Sequence, residues 1–314
     1  MSLPRIPLIL DCDPGHDDAL AILLALARPE LELLGITTVA GNATLAATTR
    51  NALSILALAG RPDIPVAAGA DRPLVRPLTT ADYVHGDSGL EGTTELPEPE
   101  AEPRPEGAVA LTLNLLEAAS TPVTLVATGP LTNVARLLDP DPTVNERLAG
   151  IHIMGGAIGL GNRTASAEFN IWVDPEAAAR VFESGLPVTM IGIDVSHQAV
   201  VPLARSDAWG RLGTRTGRIF ADLFRYFAIF HRERYGWDGS PIHDAITVAQ
   251  LVEADLVESQ PCRVDVEFTS ELTRGRTVVD VEGLTRLPSN ARVGTSIDAP
   301  RFMDLVDEVI ARYP

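Results

Sequence analysis

Four carboxylates fall within eight residues of this chain: Asp11, Asp13, Asp17 and Asp18, in the stretch DCDPGHDDA at 11–19. A short apolar run at 6–10 precedes them, and an Ala/Leu-rich helical run at 19–27 follows. Pro14-Gly15 supplies the turn between the two. The acids therefore sit where a strand's carboxyl end feeds a helix's amino end, the crevice in which open α/β sheets bind ligands. The helix terminus favours the charges of Asp17 and Asp18 by roughly 0.3–1 kcal/mol each. Mutual repulsion across a few ångströms of reduced dielectric is larger and opposes them. A bound cation resolves the conflict; a capped helix carrying solvated acids is the alternative. The donors are all oxygen, with no Cys pair or HxxxH beside them, which argues against zinc. A hard cation fits, with calcium ahead of magnesium if several carboxylates bind directly.

Other stretches supply further polar groups. PIHDA at 241–245 opens a helix much as GHDDA at 15–19 does. Asp244 either caps that helix or closes a coordination sphere begun by Asp13 and Asp18. The loop at 161–170 carries Asn162, Glu168 and Asn170. If 168–170 is extended, Glu168 and Asn170 point the same way. A carboxylate beside an amide suits sugar hydroxyls. Gly41-Asn42 and Thr128-Gly129-Pro130 each follow an expected strand, on the same sheet edge as the acids. Thr128 there can offer a main-chain carbonyl to a metal. Phe227, His231 and Tyr235 share one helix face, as core packing or as partners of a flat ligand. No GxGxxG follows the first strand and no GxxxxGK[ST] occurs, so dinucleotide and P-loop readings lack support.

The elements that position these groups alternate β and α. Strands are expected at 6–10, 31–40, 64–68, 123–127, 151–154 and 188–193, and helices at 19–27, 43–59, 107–120, 131–138 and 174–184. Residues 203–235 read as mainly helical, 245–252 and 298–311 as helices, and 262–268 with 276–281 as a hairpin. This predicts one α/β domain over 1–314: a doubly wound, mostly parallel, Rossmann-like sheet with helices on both faces and a small carboxyl-terminal hairpin. Residues 70–107 interrupt the pattern with a proline-rich, acidic excursion. Within it, YVHGDSGL at 83–90 is bracketed by glycines and has the composition of a lid.

Composition sets outer bounds. The 314 residues allow a large core, and few aromatics among many Ala, Leu and Val suit helices on a buried parallel sheet. A net charge of −17 without a basic stripe argues against nucleic acid and anionic membranes. Cys12 and Cys262 read as separate buried thiols, consistent with a reducing cytoplasm. No signal peptide and no membrane span is read from the sequence.

Taken together, these residues resemble the inosine–uridine preferring nucleoside hydrolase family. DCDPGHDDA is similar to its amino-terminal aspartate motif. The likeness continues through TTVAGN at 37–42, ATGPLTN at 127–133, MGGA at 154–157, AEFN at 167–170, DPEAA at 174–178 and HDA at 243–245. The resemblance implies hydrolysis of a ribonucleoside to ribose and free base. It implies one calcium ion per chain held by Asp13, Asp18, the Thr128 carbonyl and Asp244, with Asp13 taking a proton from the attacking water. It implies that Asp17, Asn42, Asn162, Glu168 and Asn170 hold the ribose, with Met154 near the sugar. His85 and His243 would face the base, His243 as the acid, with His231 and Tyr235 alongside; the pair favours uridine or inosine over strict purine use. Homodimers or homotetramers are the usual assembly. His16 occupies a variable position and has no role in this scheme.

Two other classes compete. A calcium-dependent nucleoside or ribose binder would need the same ligands without turnover. Asp11-Cys12-Asp13 also resembles the DxD of haloacid-dehalogenase-like phosphatases, but Gly15-His16-Asp17-Asp18 follows where that family has other residues.

Overall fold

The computed structural model describes residues 5–138 and 142–314. Met1 to Pro4, part of the amino-terminal stretch read as free of a targeting signal, lie outside them. Eleven strands form: β1 (Ile6–Cys12), β2 (Leu31–Thr38), β3 (Val66–Ala68), β4 (Val123–Ala127), β5 (Leu148–Met154), β6 (Val188–Ile191), β7 (Val200–Pro202), β8 (Gly239–Pro241), β9 (Val257–Val266), β10 (Thr277–Asp280) and β11 (Ala291–Ile297). Nine share one sheet in the order β10-β9-β11-β6-β5-β4-β1-β2-β3, and β7 pairs with β8 separately. From β3 to β11 neighbouring strands run parallel; β9 and β10 are antiparallel additions.

The order 3-2-1-4-5-6 reverses between β1 and β4, which makes their carboxyl ends the topological switch point. Asp11 pairs with Ala127 across that junction. The next residues out, Cys12 to Gly15 on one side and Thr128-Gly129 on the other, open into the crevice.

Strand alternation sorts β1 between two cores. Leu8, Leu10 and Cys12 enter a core with helices Leu45–Leu58, Arg215–Tyr235, Asp244–Val252 and Ala299–Arg312. Ile9 enters the opposite one, with helices Thr132–Leu138 and Pro175–Glu183. The helix His16–Ala27 has 11 of its 12 residues buried. Beyond its first turn it is apolar all round, which is what full enclosure requires. Helices Leu45–Leu58, Asp244–Val252 and Ala299–Arg312 surround it, and the Tyr313 hydroxyl donates to its Leu23 carbonyl at 3.0 Å. No helix among the described residues is long and apolar enough to cross a membrane. Both cysteines are free and buried.

The proline-rich excursion is fastened to this frame. Asp174 caps helix Pro175–Glu183 through Ala177 N–H at 3.1 Å, and accepts from Leu74 N–H at 2.8 Å and the Thr132 hydroxyl at 2.6 Å. Asp174→Ala leaves three donors without their acceptor, so urea unfolding should show a loss of about 2–4 kcal/mol. An unchanged midpoint would show that the capping role is negligible.

Several features depart from the sequence expectation, the separate β7–β8 pair among them. The strand β11 was not foreseen, and β9 begins at Val257 rather than at 262. The short helix Phe169–Val173 replaces the extended segment entertained for 168–170.

Candidate active site

The acids come from two helix starts that the sheet brings face to face. Carboxylate oxygens of Asp17, Asp18 and Asp244 all lie within 4.8 Å of one another. Asp13 lies beside them, linked through Asn42, whose side-chain amide donates to the Asp13 carbonyl and to Asp18 Oδ2, each at 3.1 Å. The Asn42 main-chain N–H donates to Asp13 Oδ2 at 2.7 Å. Asp18 also accepts from Gly15 N–H at 3.0 Å and from the Thr128 hydroxyl at 2.8 Å. Asp17 accepts from His243 N–H at 3.0 Å. A Cβ at Gly41 or Gly129 would collide with the Asp13 carboxylate, so these strand-end glycines admit it.

Burial dominates the electrostatics. It pushes Asp13 and Asp244 well above the ordinary carboxylate range, with Asp18 adding to the effect on Asp13 and Asp17 to that on Asp244. Asp17 rises for the same first cause, and Asp18 rises to about 7. Only neutral donors surround the group, and Asp13 Oδ1 is buried without a hydrogen-bond partner. An orphaned carboxylate oxygen beside three more carboxylates fits a hard divalent cation.

Asp11 does not join them. It is still within β1, on the face of Ile9, where Oδ1 accepts from the Thr37 hydroxyl at 2.5 Å and Asn133 at 2.8 Å; the strand ends at Cys12, so Asp13 is free to turn into the crevice. Burial raises Asp11 to about 6. The fourth carboxylate of the cluster is Asp244, from more than two hundred residues away.

A cleft opens over the acids. Its polar wall holds Asn42, Thr128, Asn162, Glu168 and Asn170, with Met154 among them. Glu168 is the N-cap of helix Phe169–Val173 and accepts from the main-chain N–H groups of Asn170, Ile171 and Gly156. Asn170 donates to the Thr128 carbonyl at 2.7 Å and the Met154 carbonyl at 3.1 Å. Glu168 and Asn170 thus reach the cleft as cap and first-turn residue, not as alternate residues of a strand. Burial lifts Glu168 to about 7. Asn162 is held by Phe169 N–H at 2.9 Å.

The opposite wall is aromatic and imidazole-rich: Tyr83, His85, His197, Phe227, Phe230, His231, Tyr235 and His243. His243 Nδ1 lies 2.7 Å from the buried Ser196 hydroxyl. His231 Nδ1 donates to the Phe227 carbonyl at 2.9 Å. Burial depresses all three of His85, His231 and His243, His231 to about 4 and the others well below 6.5. These rings are neutral at pH 7.

Twelve of the fourteen residues to which the family resemblance gives a role line this one cleft; Asp13 and Asp18 are fully buried. Tyr83 and Val84 come from the stretch read as a lid, whereas the sequence reading gave no role to Ala81, Phe169, His197 and Phe230. His197 follows the short helix Ile193–Ser196 after β6. Its signal was positional: it follows a strand on the same sheet edge as Asp13.

Comparison with known proteins agrees with this geometry. Residues 8–304 match the inosine-uridine preferring nucleoside hydrolase family. The chain is 48% identical over 309 residues to a pyrimidine-specific ribonucleoside hydrolase RihA of Salmonella agona, covering 98% of this chain and 99% of that one. A purine-preferring ribonucleoside hydrolase from Gardnerella vaginalis superposes with a TM-score of 0.91 at 35% identity over 98% of both chains. A plant nucleoside hydrolase gives 0.92 at 33% identity, covering 98% of this chain and 99% of the other. The chain belongs to the inosine-uridine preferring nucleoside hydrolase family and is an enzyme that hydrolyses ribonucleosides to ribose and base.

Proposed function

We propose that this enzyme prefers pyrimidine ribonucleosides and uses calcium. The observation that carries the reading is the single cleft with acids at its floor, amide and carboxylate groups on one wall and neutral imidazoles on the other. The pyrimidine-specific relatives are closer in sequence than the purine-preferring one.

Cleavage of the C1′–N bond develops positive charge on the sugar and negative charge on the base. Asp13, Asp18, Asp244 and the Thr128 carbonyl would hold the cation. When bound, it supplies Lewis acidity and an orienting charge for the attacking water, and it opposes the upward shift of the surrounding carboxyls. Asp13 takes the water's proton at Oδ1, its other oxygen being engaged by Asn42. Asp17, Asn42, Asn162, Glu168 and Asn170 orient the ribose hydroxyls, and their oxygens stabilise the cationic sugar in a site largely closed to water. Met154 lines the sugar side. On the base side, His243 donates to the departing base, and His85, His231 and Tyr235 contact its edge and face. We further infer one catalytic domain over 1–314 that works as a homodimer or homotetramer in the cytoplasm, on the likeness to the family.

A reducing-sugar assay across uridine, cytidine, inosine, adenosine and guanosine tests the preference. Uridine and cytidine should turn over fastest. Chelator treatment should abolish ribose release, and calcium should restore it better than magnesium. Faster purine cleavage, or full activity after exhaustive chelation, would refute the respective part of this reading.

A further inference from the structure

The scheme above gives His16 no part, yet both of its ring nitrogens have fixed partners. The residue is fully buried, and its ring lies parallel to those of Tyr226 and Phe227, with centroids 5.7 and 5.0 Å away. Its Nε2 lies 2.8 Å from the Glu91 carbonyl oxygen. Its Nδ1 lies 2.9 Å from His85 Nδ1. A carbonyl oxygen only accepts, so His16 Nε2 carries a proton. In the neutral ring that makes His16 Nδ1 an acceptor. The facing His85 Nδ1 then donates, which leaves His85 Nε2 as a lone pair. The His16 main-chain N–H also approaches His85 Nδ1, but at 3.5 Å it sits at the limit of hydrogen-bond distance, and the shorter contact governs. His85 lines the cleft, and the polar partners of its ring lie at Nδ1.

We propose that His16 is a positioning residue: it holds His85 in the Nδ1–H tautomer, so that the cleft meets the nucleobase with a hydrogen-bond acceptor at His85 Nε2. The proposal rests on reading the cleft as a nucleoside site. The ligand class it selects is a base presenting an N–H on that edge, as uracil does through its ring N–H and cytosine through its amine. An aryl leaving group without an N–H gains nothing from the arrangement.

Histidine ring nitrogen spectra of the native, calcium-loaded enzyme, with His85 assigned by its absence in His85→Gln, are expected to show a protonated Nδ1 and a bare Nε2. The opposite assignment overturns the proposal whether or not any variant folds. In kinetics, His16→Leu should lower kcat/KM for uridine and cytidine about 10–100-fold, and for 4-nitrophenyl riboside less than about threefold. His16→Asn, whose Oδ1 can accept from His85 Nδ1, should recover most of the uridine activity. Equal losses on nucleoside and aryl riboside would mean that His16 only anchors the 82–91 segment, and would overturn the proposal. So would undiminished uridine cleavage by His16→Leu. If the native enzyme releases no ribose from any nucleoside, the nucleoside reading itself fails, while the ring spectra still decide the tautomer.

Discussion

Asp13→Asn is expected to lower ribose release from uridine by about 10³-fold or more, near the upper end for removal of a general base, because the same carboxylate also faces the cation. The substitution is close to isosteric. An asparagine can still accept from Asn42 N–H with one oxygen, as Asp13 Oδ2 does now. What it loses is the second oxygen, the buried atom with no protein partner. An amide nitrogen in its place can neither take a proton from water nor sit comfortably beside a divalent charge. The fold should survive, since one like charge leaves a crowd of four and the hydrogen bond to strand-end Asn42 remains. Urea unfolding in the presence of chelator gives the control: the variant should be at least as stable as the native chain. Residual activity within about tenfold of native would remove Asp13 from the base role.

The second large effect concerns the leaving group. His243→Ala should cost about 10²–10⁴-fold on uridine and less than about tenfold on 4-nitrophenyl riboside, whose anion leaves without a proton. The ring is oriented from behind by Ser196 and set against His197 and His231. Burial holds it neutral at pH 7, so it acts through a neutral N–H rather than as an imidazolium. The sign follows: with its pKa lowered well below 6.5, deprotonation of the imidazolium is complete before neutrality, and uridine turnover should not fall between pH 6.5 and 8 on its account. Equal losses on both substrates would assign His243 to binding or positioning and not to hydrogen-bond donation to the departing base.

Much of the site was legible because its groups sit at strand ends. DCDPGHDDA and PIHDA carry their own turn, their own helix start and their own charge, and a strand before a polar turn places Asn42 and Thr128 on the same edge. What escaped notice depended on partners that local sequence does not announce. Asp11 looked like a member of the cluster by proximity, but it is still in the strand and faces Thr37 and Asn133, whereas Asp13 lies beyond the strand's end. Glu168 and Asn170 lie at the start of a helix of five residues, too short for a period to declare itself. The strand β11 reads ARVGTSI, with little hydrophobic alternation. β9 contains Pro261, which discourages a strand assignment; it falls in the half of β9 paired only with β11, where one side of the ladder is open. His197 carried only a positional signal, a strand end on the edge that holds Asp13, and Phe230 needed the tertiary fold.

The enclosure of helix His16–Ala27 bears on how the molecule assembles. The neighbours that roof it, Asp244–Val252 and Ala299–Arg312, lie more than two hundred residues downstream, and closing so long a loop is slow. Until they arrive, Asp17 and Asp18 are hydrated carboxylates on an unfinished surface, without Asp244 opposite them. The proposed cation would then find its full set of ligands only late in folding, and would consolidate a nearly complete protein rather than nucleate its collapse.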